Sequence, residues 1–347
     1  MVDRPAFNLK FALYTPDFRG FGGLTGRLLR GPGRSSVRQG EHFTGIFKFC
    51  EDREAAMFSG SICALITPFR DGAVDEKAYE EIIDWHIEQG TDGVVPCGTT
   101  GESPTLSHSE HMRVVEICIG AAKGRIPVIA GTGSNSTEEA VALTRHAKES
   151  GADAALVVTP YYNKPTQEGL YRHFKAINDA VDLPVIIYNI PARSVVDMTI
   201  ETMARLAKLP NIVGVKDATN DVSRATRQRI AIGSDFCQLS GEDGTQIGFL
   251  AQGGQGCISV TANVAPKEMA EFHDAWQDGN IDRAQAINDR LMPLHEALFC
   301  ETSPGPVKYA AHLLGKCGPE LRLPLCEISP ASKTCVEGAM RSAGILN

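Results

Sequence analysis

From residue 58 onward, short runs of β-branched and apolar residues alternate with longer stretches whose apolar positions recur every three or four residues. That alternation belongs to βα units wound into a parallel sheet. Strands are predicted at 62–67, 93–96, 127–131, 154–158, 184–188, 212–216, 236–240 and 256–259. Between the first two, residues 75–89 place Tyr79, Ile82, Ile83, His86 and Ile87 on one helical stripe, so His86 is expected to be packed and not reactive. Ser107 with Glu110, and Ser136 with Glu139, have the spacing of capping boxes that satisfy the orphan amides of a helix start. Eight consecutive βα units with right-handed crossovers close into a barrel. An open doubly wound sheet would instead carry a Gly-rich phosphate loop after its first strand, and residues 62–69 contain no glycine. The predicted fold class is therefore α/β, a (β/α)8 TIM barrel over 57–280. Helical patterns follow at 265–277, 281–299, 307–314 and 329–343; the first completes the barrel, and the rest form a helical C-terminal appendage over 281–347.

Residues 1–56 read differently, with nine Lys/Arg, six Asp/Glu and eight glycines. Over 27–40, Gly, Arg and Ser follow no period, which predicts a flexible segment. A disordered extension, an organelle transit peptide, and sequence upstream of a true start at Met57 all fit, the last being the expectation. The whole chain of 347 residues is 43% hydrophobic and carries a net charge of −8 with dispersed cations, so a small metabolite fits it better than nucleic acid. Ten cysteines form no C-x-x-C pair and are expected to be reduced core thiols of a cytoplasmic protein. No apolar run of about 20 residues predicts a membrane span.

Barrel chemistry gathers at the carboxyl ends of strands, and three features stand there. Lys216 ends the sixth strand among apolar neighbours, where lost hydration favours the neutral, nucleophilic amine; a lysine snorkelling out of the mouth or paired with Asp217 is the plainer alternative. Tyr188 ends the adjacent fifth strand, able to shuttle protons or simply to cap a barrel layer, and Arg193 follows with a planar fork suited to a carboxylate. Gly98-Thr99-Thr100-Gly101-Glu102 follows the second strand, where glycines let amides and hydroxyls approach an anion; a tight turn explains the glycines but not the paired threonines.

GTTGES at 98–103, PVIAGTGSN at 127–135, VVTPYYNKPTQEGLYRHF at 157–174, YNIPARS at 188–194, GVKDAT at 214–219, SGEDG at 240–244 and GCISVTANVAP at 256–266 together resemble the dihydrodipicolinate synthase family of Schiff-base pyruvate lyases. The resemblance runs from Met57 essentially to the C-terminus. It implies condensation of pyruvate with L-aspartate 4-semialdehyde to 4-hydroxy-tetrahydrodipicolinate, without metal or organic cofactor. Lys216 then matches the Schiff-base lysine, and Tyr188, Thr99 and Tyr162 the proton relay, with Tyr162 reaching in from a neighbouring subunit. Thr100 and Ile258 match pyruvate contacts, and Arg193 the residue that recognises the aldehyde's carboxylate. A homotetramer built as a dimer of dimers is also implied.

His108 and His111 share a helix face, but no third ligand with zinc-like spacing lies near them, and core or surface histidines explain them without a metal. The resemblance adds another reading, in which Ser103, His108, His111, Asn135, Glu139 and Tyr161 bind free L-lysine as an inhibitor. Two other functions remain open on the sequence alone: another Schiff-base aldolase such as N-acetylneuraminate lyase, and a catalytically silent barrel that binds a metabolite.

Overall fold

The computed structural model describes residues 58–346, so the expectation for 1–56 and Cys50 lies outside the described residues. Eight parallel strands form the barrel: β1 Gly60–Ala64, β2 Gly93–Val95, β3 Ile129–Gly131, β4 Ala154–Val158, β5 Val185–Asn189, β6 Ile212–Asp217, β7 Cys237–Ser240 and β8 Gly256–Ser259. Their order is β2-β1-β8-β7-β6-β5-β4-β3. The seam between β2 and β3 is closed by one parallel bridge, Val94 to Val128, flanked by Val94 N to Pro127 O at 3.0 Å and Gly131 N to Pro96 O at 2.9 Å.

Alternation along the strands makes two apolar layers. Ile62, Val95, Ile129, Leu156, Ile186, Leu239 and Ile258 fill the barrel interior. Val94, Val128, Val157, Val185 and Val215 face outward against the helices. The helices over the barrel are α1 Glu76–Glu88, α2 His108–Ala122, α3 Thr137–Ser150, α4 Gln167–Ala180, α5 Ile200–Leu206, α6 Ser223–Ile232, α7 Gln246–Ala251 and α8 Pro266–Gln277. Beyond them, α9 Ile281–Ala297, α10 Gly305–Leu313 and α11 Pro330–Ser342 make the C-terminal helical region.

β1 ends earlier than its apolar run suggests. Asn263 takes over the ladder there, its Oδ1 accepting from Ile66 N at 3.0 Å and its Nδ2 donating to Ala64 O at 2.8 Å. The box at Ser107 forms in both directions, Glu110 N to Ser107 Oγ at 3.2 Å and Ser107 N to Glu110 Oε2 at 2.9 Å. The box expected at Ser136 is half made: Ser136 Oγ accepts from Glu139 N, but Ser136 N donates to Ser134 Oγ at 3.0 Å because the Glu139 carboxylate is engaged elsewhere. The thiols also need a correction. Cys63, Cys97, Cys118, Cys237 and Cys257 are buried and unpaired as expected, whereas Cys300, Cys326 and Cys335 are exposed in the C-terminal region, away from the strands. Burial pushes Cys118 and Cys237 up to about 12, which keeps them protonated and unreactive.

His86 is packed, with Nδ1 3.0 Å from Thr91 Oγ1. Burial holds His86 and His273 down at about 3, and His173 at about 4, against an ordinary 6.5. Between those values the unfolded chain binds more protons than the folded one, so this stability is complete above 6.5 and is lost as pH falls through the window. Melting curves are therefore expected to shift steadily downward from about pH 7 to about pH 5, each such histidine contributing about 1.4 kcal/mol per pH unit. A flat melting temperature across that range contradicts the buried neutral imidazoles.

Candidate active site

The site begins with a strand register. Tyr188 on β5 is the Cα partner of Lys216 on β6, so the two side chains emerge side by side on the inner face. Lys216 is buried, with Nζ 4.3 Å from the Tyr188 ring centroid. Among the described residues no carboxylate comes within ion-pair distance of that amine.

The expected alternative, Lys216 paired with Asp217, is excluded by where Asp217 points. Strand alternation sends Asp217 to the opposite face, and both its oxygens are occupied there. Oδ1 accepts from Thr219 N at 3.0 Å and Thr219 Oγ1 at 2.6 Å; Oδ2 accepts from Arg224 Nε at 3.1 Å and Gln228 Nε2 at 3.0 Å. Snorkelling is excluded as well, since Lys216 is only 5% exposed.

Arg224 does more than neutralise Asp217. It donates to Asp197 Oδ2 at 3.2 Å and Met198 O at 2.7 Å, and Asn189 Nδ2 holds Asp197 Oδ1 at 2.8 Å. This anchors the segment after the short helix Pro191–Ser194, which carries an exposed Arg193. Val195, next along, has φ 61°, a strained value for a β-branched residue.

Thr99 and Thr100 sit in a tight turn after β2, with Gly101 N bonding Gly98 O at 3.1 Å and Glu102 N bonding Thr99 O at 3.1 Å. The PVIAGTG segment lies against this turn, and a Cβ on Gly131 would stand 2.3 Å from Cys97 O, so only glycine permits that approach. Ile258 lines the interior from β8, whose end is tied by Asp243 accepting from Val260 N at 2.9 Å and Thr261 N at 3.1 Å. Tyr162 is not brought to Lys216 within the chain: it is 89% exposed, with φ 73°. Tyr188 and Thr99 form no hydrogen bond to each other among the described residues.

Glu242 was missed by sequence reasoning. It follows β7 in the SGEDG segment, where burial and the neighbouring Asp243 push its carboxyl above the usual range while Lys216 and Arg193 pull it down. Its position at a strand's carboxyl end was the available signal.

A second cluster forms beside α2 and α3. His108 Nε2 lies 2.5 Å from Glu139 Oε1, Ser134 Oγ donates to the other carboxylate oxygen, and Asn135 Nδ2 donates to Tyr161 O at 3.3 Å. Ser134 and then His108 hold Glu139 below its ordinary value, and burial holds His111 down at about 4. Ser103 stands in the single turn Ser103–Thr105 and forms no hydrogen bond to this cluster among the described residues. Among the described residues no group of three His, Cys, Asp or Glu is arranged to hold a metal, and no helix is long and apolar enough to cross a membrane.

Comparison with known proteins fits this geometry. The dihydrodipicolinate synthetase family matches residues 57–343. A 4-hydroxy-tetrahydrodipicolinate synthase of Rhodospirillum centenum is 66% identical over 290 residues, covering 84% of this chain and 100% of that one. Among solved structures, the chloride-inhibited dihydrodipicolinate synthase of Acinetobacter baumannii complexed with pyruvate has TM-score 0.81 at 49% identity, covering 83% of this chain and 99% of the other. The enzyme of Cyanidioschyzon merolae with lysine bound has TM-score 0.80 at 40% identity, covering 83% and 99%. With the barrel, the Lys216–Tyr188 pair and a match over nearly all described residues in agreement, the chain belongs to the dihydrodipicolinate synthetase family.

Proposed function

We propose that Lys216 captures pyruvate as an imine and that Tyr188, Thr99 and Tyr162 move the protons of the reaction. The chain is a lyase of diaminopimelate and lysine biosynthesis, condensing pyruvate with L-aspartate 4-semialdehyde to 4-hydroxy-tetrahydrodipicolinate in the first committed step. The observation that carries the residue assignment is a buried amine, with no carboxylate within ion-pair distance among the described residues, held over the Tyr188 ring.

The neutral amine adds to the ketone and water leaves, giving a protonated imine that acts as an electron sink. A methyl proton then departs, and the enamine carbon attacks the aldehyde. Attack of the second substrate's own amine on the imine carbon closes the ring and frees Lys216. A lone phenol is a weak base at neutral pH, so a chain of hydroxyls suits the proton traffic better than one strong base. Thr100 and Ile258 contact pyruvate, and Arg193 grips the aldehyde's carboxylate from its anchored loop. Tyr162 completes the relay in a neighbouring copy, which fits its outward position and favours a homotetramer assembled as a dimer of dimers, working in the cytoplasm.

The cluster of His108, His111, Asn135, Glu139 and Tyr161, with Ser103 nearby in sequence, is the proposed seat of L-lysine inhibition, Glu139 facing the ligand's ammonium. Millimolar L-lysine is expected to slow turnover, and Glu139→Gln to weaken that inhibition about tenfold or more. A rate unchanged by lysine removes the regulatory reading.

In a coupled assay with both substrates, Tyr188→Phe and Tyr162→Phe are expected to lower kcat about 10²–10⁴-fold, the range of a positioned proton transfer. Mixing inactive Tyr162→Phe with inactive Lys216→Ala should restore activity in hybrid oligomers, because a shared site can then take Lys216 from one copy and Tyr162 from its neighbour. Turnover of N-acetylneuraminate with none of aspartate semialdehyde contradicts the assignment of the second substrate.

A further inference from the structure

The turn that presents Thr99 and Thr100 ends in a buried ion pair that the chemistry above does not use. Glu102 is a non-glycine residue in the left-handed region, φ 55° and ψ 34°, and its side chain is wholly buried. Lys308 of α10, equally buried, donates to Glu102 Oε1 at 2.5 Å across 206 residues of sequence. Arg322 N donates to the other oxygen at 3.2 Å, so both carboxylate oxygens are held by the region beyond the barrel.

The anchor is itself anchored. Lys308 Nζ lies 4.0 Å from the Phe69 ring centroid and the Arg322 guanidinium 4.3 Å from the same ring. Arg322 also donates to Thr105 O at 3.0 Å, Gly72 O at 2.7 Å and Glu110 at 2.6 and 2.9 Å. Burial pulls the Lys308 ammonium below its ordinary value while Glu102 opposes that shift, which ties the lysine's charge to its partner. From the other side the turn is pressed onto the strand ends. Thr67 Oγ1 donates to Gly101 O at 2.7 Å, and a Cβ on Gly101 would stand 3.1 Å from Leu65 O.

We propose that Glu102 and Lys308 are positioning residues for the Thr99 and Thr100 hydroxyls. The pair holds Glu102 in a conformation that an L-residue adopts only against a cost, and in that conformation the Glu102 amide fixes the Thr99 carbonyl at 3.1 Å. The C-terminal helices thereby belong to the catalytic apparatus. This rests on the assignment of Thr99 and Thr100 made above.

The test compares Glu102→Gln, Lys308→Met, the double variant Glu102→Gln/Lys308→Met, Lys308→Arg and a Thr99→Val control, each in the full-length protein. The double variant removes both charges together and so leaves no uncompensated buried ion. It is expected to keep a cooperative melt and to form the Lys216 imine at saturating pyruvate, while kcat falls about 10²-fold, as for a misplacement of about 1 Å, and KM for pyruvate rises. Lys308→Arg, which keeps the charge, is expected to recover part of that loss. Should the double variant not fold, Glu102→Gln, which retains the shape and an acceptor for Lys308, is read in the same way. Reduced melting temperature with wild-type kcat and KM, alongside an impaired Thr99→Val, overturns the positioning role and leaves the threonine assignment standing. Wild-type turnover in Thr99→Val overturns that assignment and this inference with it.

Discussion

The structure depends on one amine kept without a counter-ion. Lys216 emerges on the inner face of β6 beside Tyr188, and the nearest carboxylate in sequence, Asp217, is turned outward and saturated by Thr219, Arg224 and Gln228. A salt bridge would tie this side chain to a carboxylate, whereas Lys216 stands buried beside the Tyr188 ring with no such partner among the described residues. The same Arg224 that occupies Asp217 also fixes the loop after Arg193, so the surroundings of Lys216 and the placement of Arg193 have a common support.

Three further carboxylates hold segments that follow the barrel strands. Glu102 in its left-handed turn meets Lys308, Asp243 binds the amides that follow β8, and Glu139 is shared between Ser134 and His108. Glu102 and Asp243 thereby satisfy buried donors that would otherwise be orphaned. The buried imidazoles of His86 and His273 play the opposite part, packed as neutral rings that resist protonation.

How much of this was legible depended on the range of each interaction. The strands were readable because burial on both faces makes each a continuous apolar run, and Lys216 and Tyr188 were readable as polar residues ending such runs. The hairpin Phe69–Arg70 with Ala73–Val74 escaped notice although Asp71-Gly72 signals it, their φ values being 54° and 80°. The Glu102–Lys308 pair had no local signal at all, since its partners lie on unrelated periodic segments. Ser136 and Glu139 had the spacing of a box, yet a competing hydroxyl and an imidazole from another helix took the carboxylate. The exposed thiols of the C-terminal helices were misjudged because cysteine's usual preference for burial was applied to segments outside the barrel strands.

Reduction with borohydride in the presence of pyruvate alone tests imine formation on Lys216 most directly, with the labelled peptide read by mass spectrometry. A single reduced pyruvyl adduct on the peptide containing Lys216, lost in Lys216→Ala together with turnover, is the expected result. An adduct on another lysine, or wild-type turnover in Lys216→Ala, contradicts it.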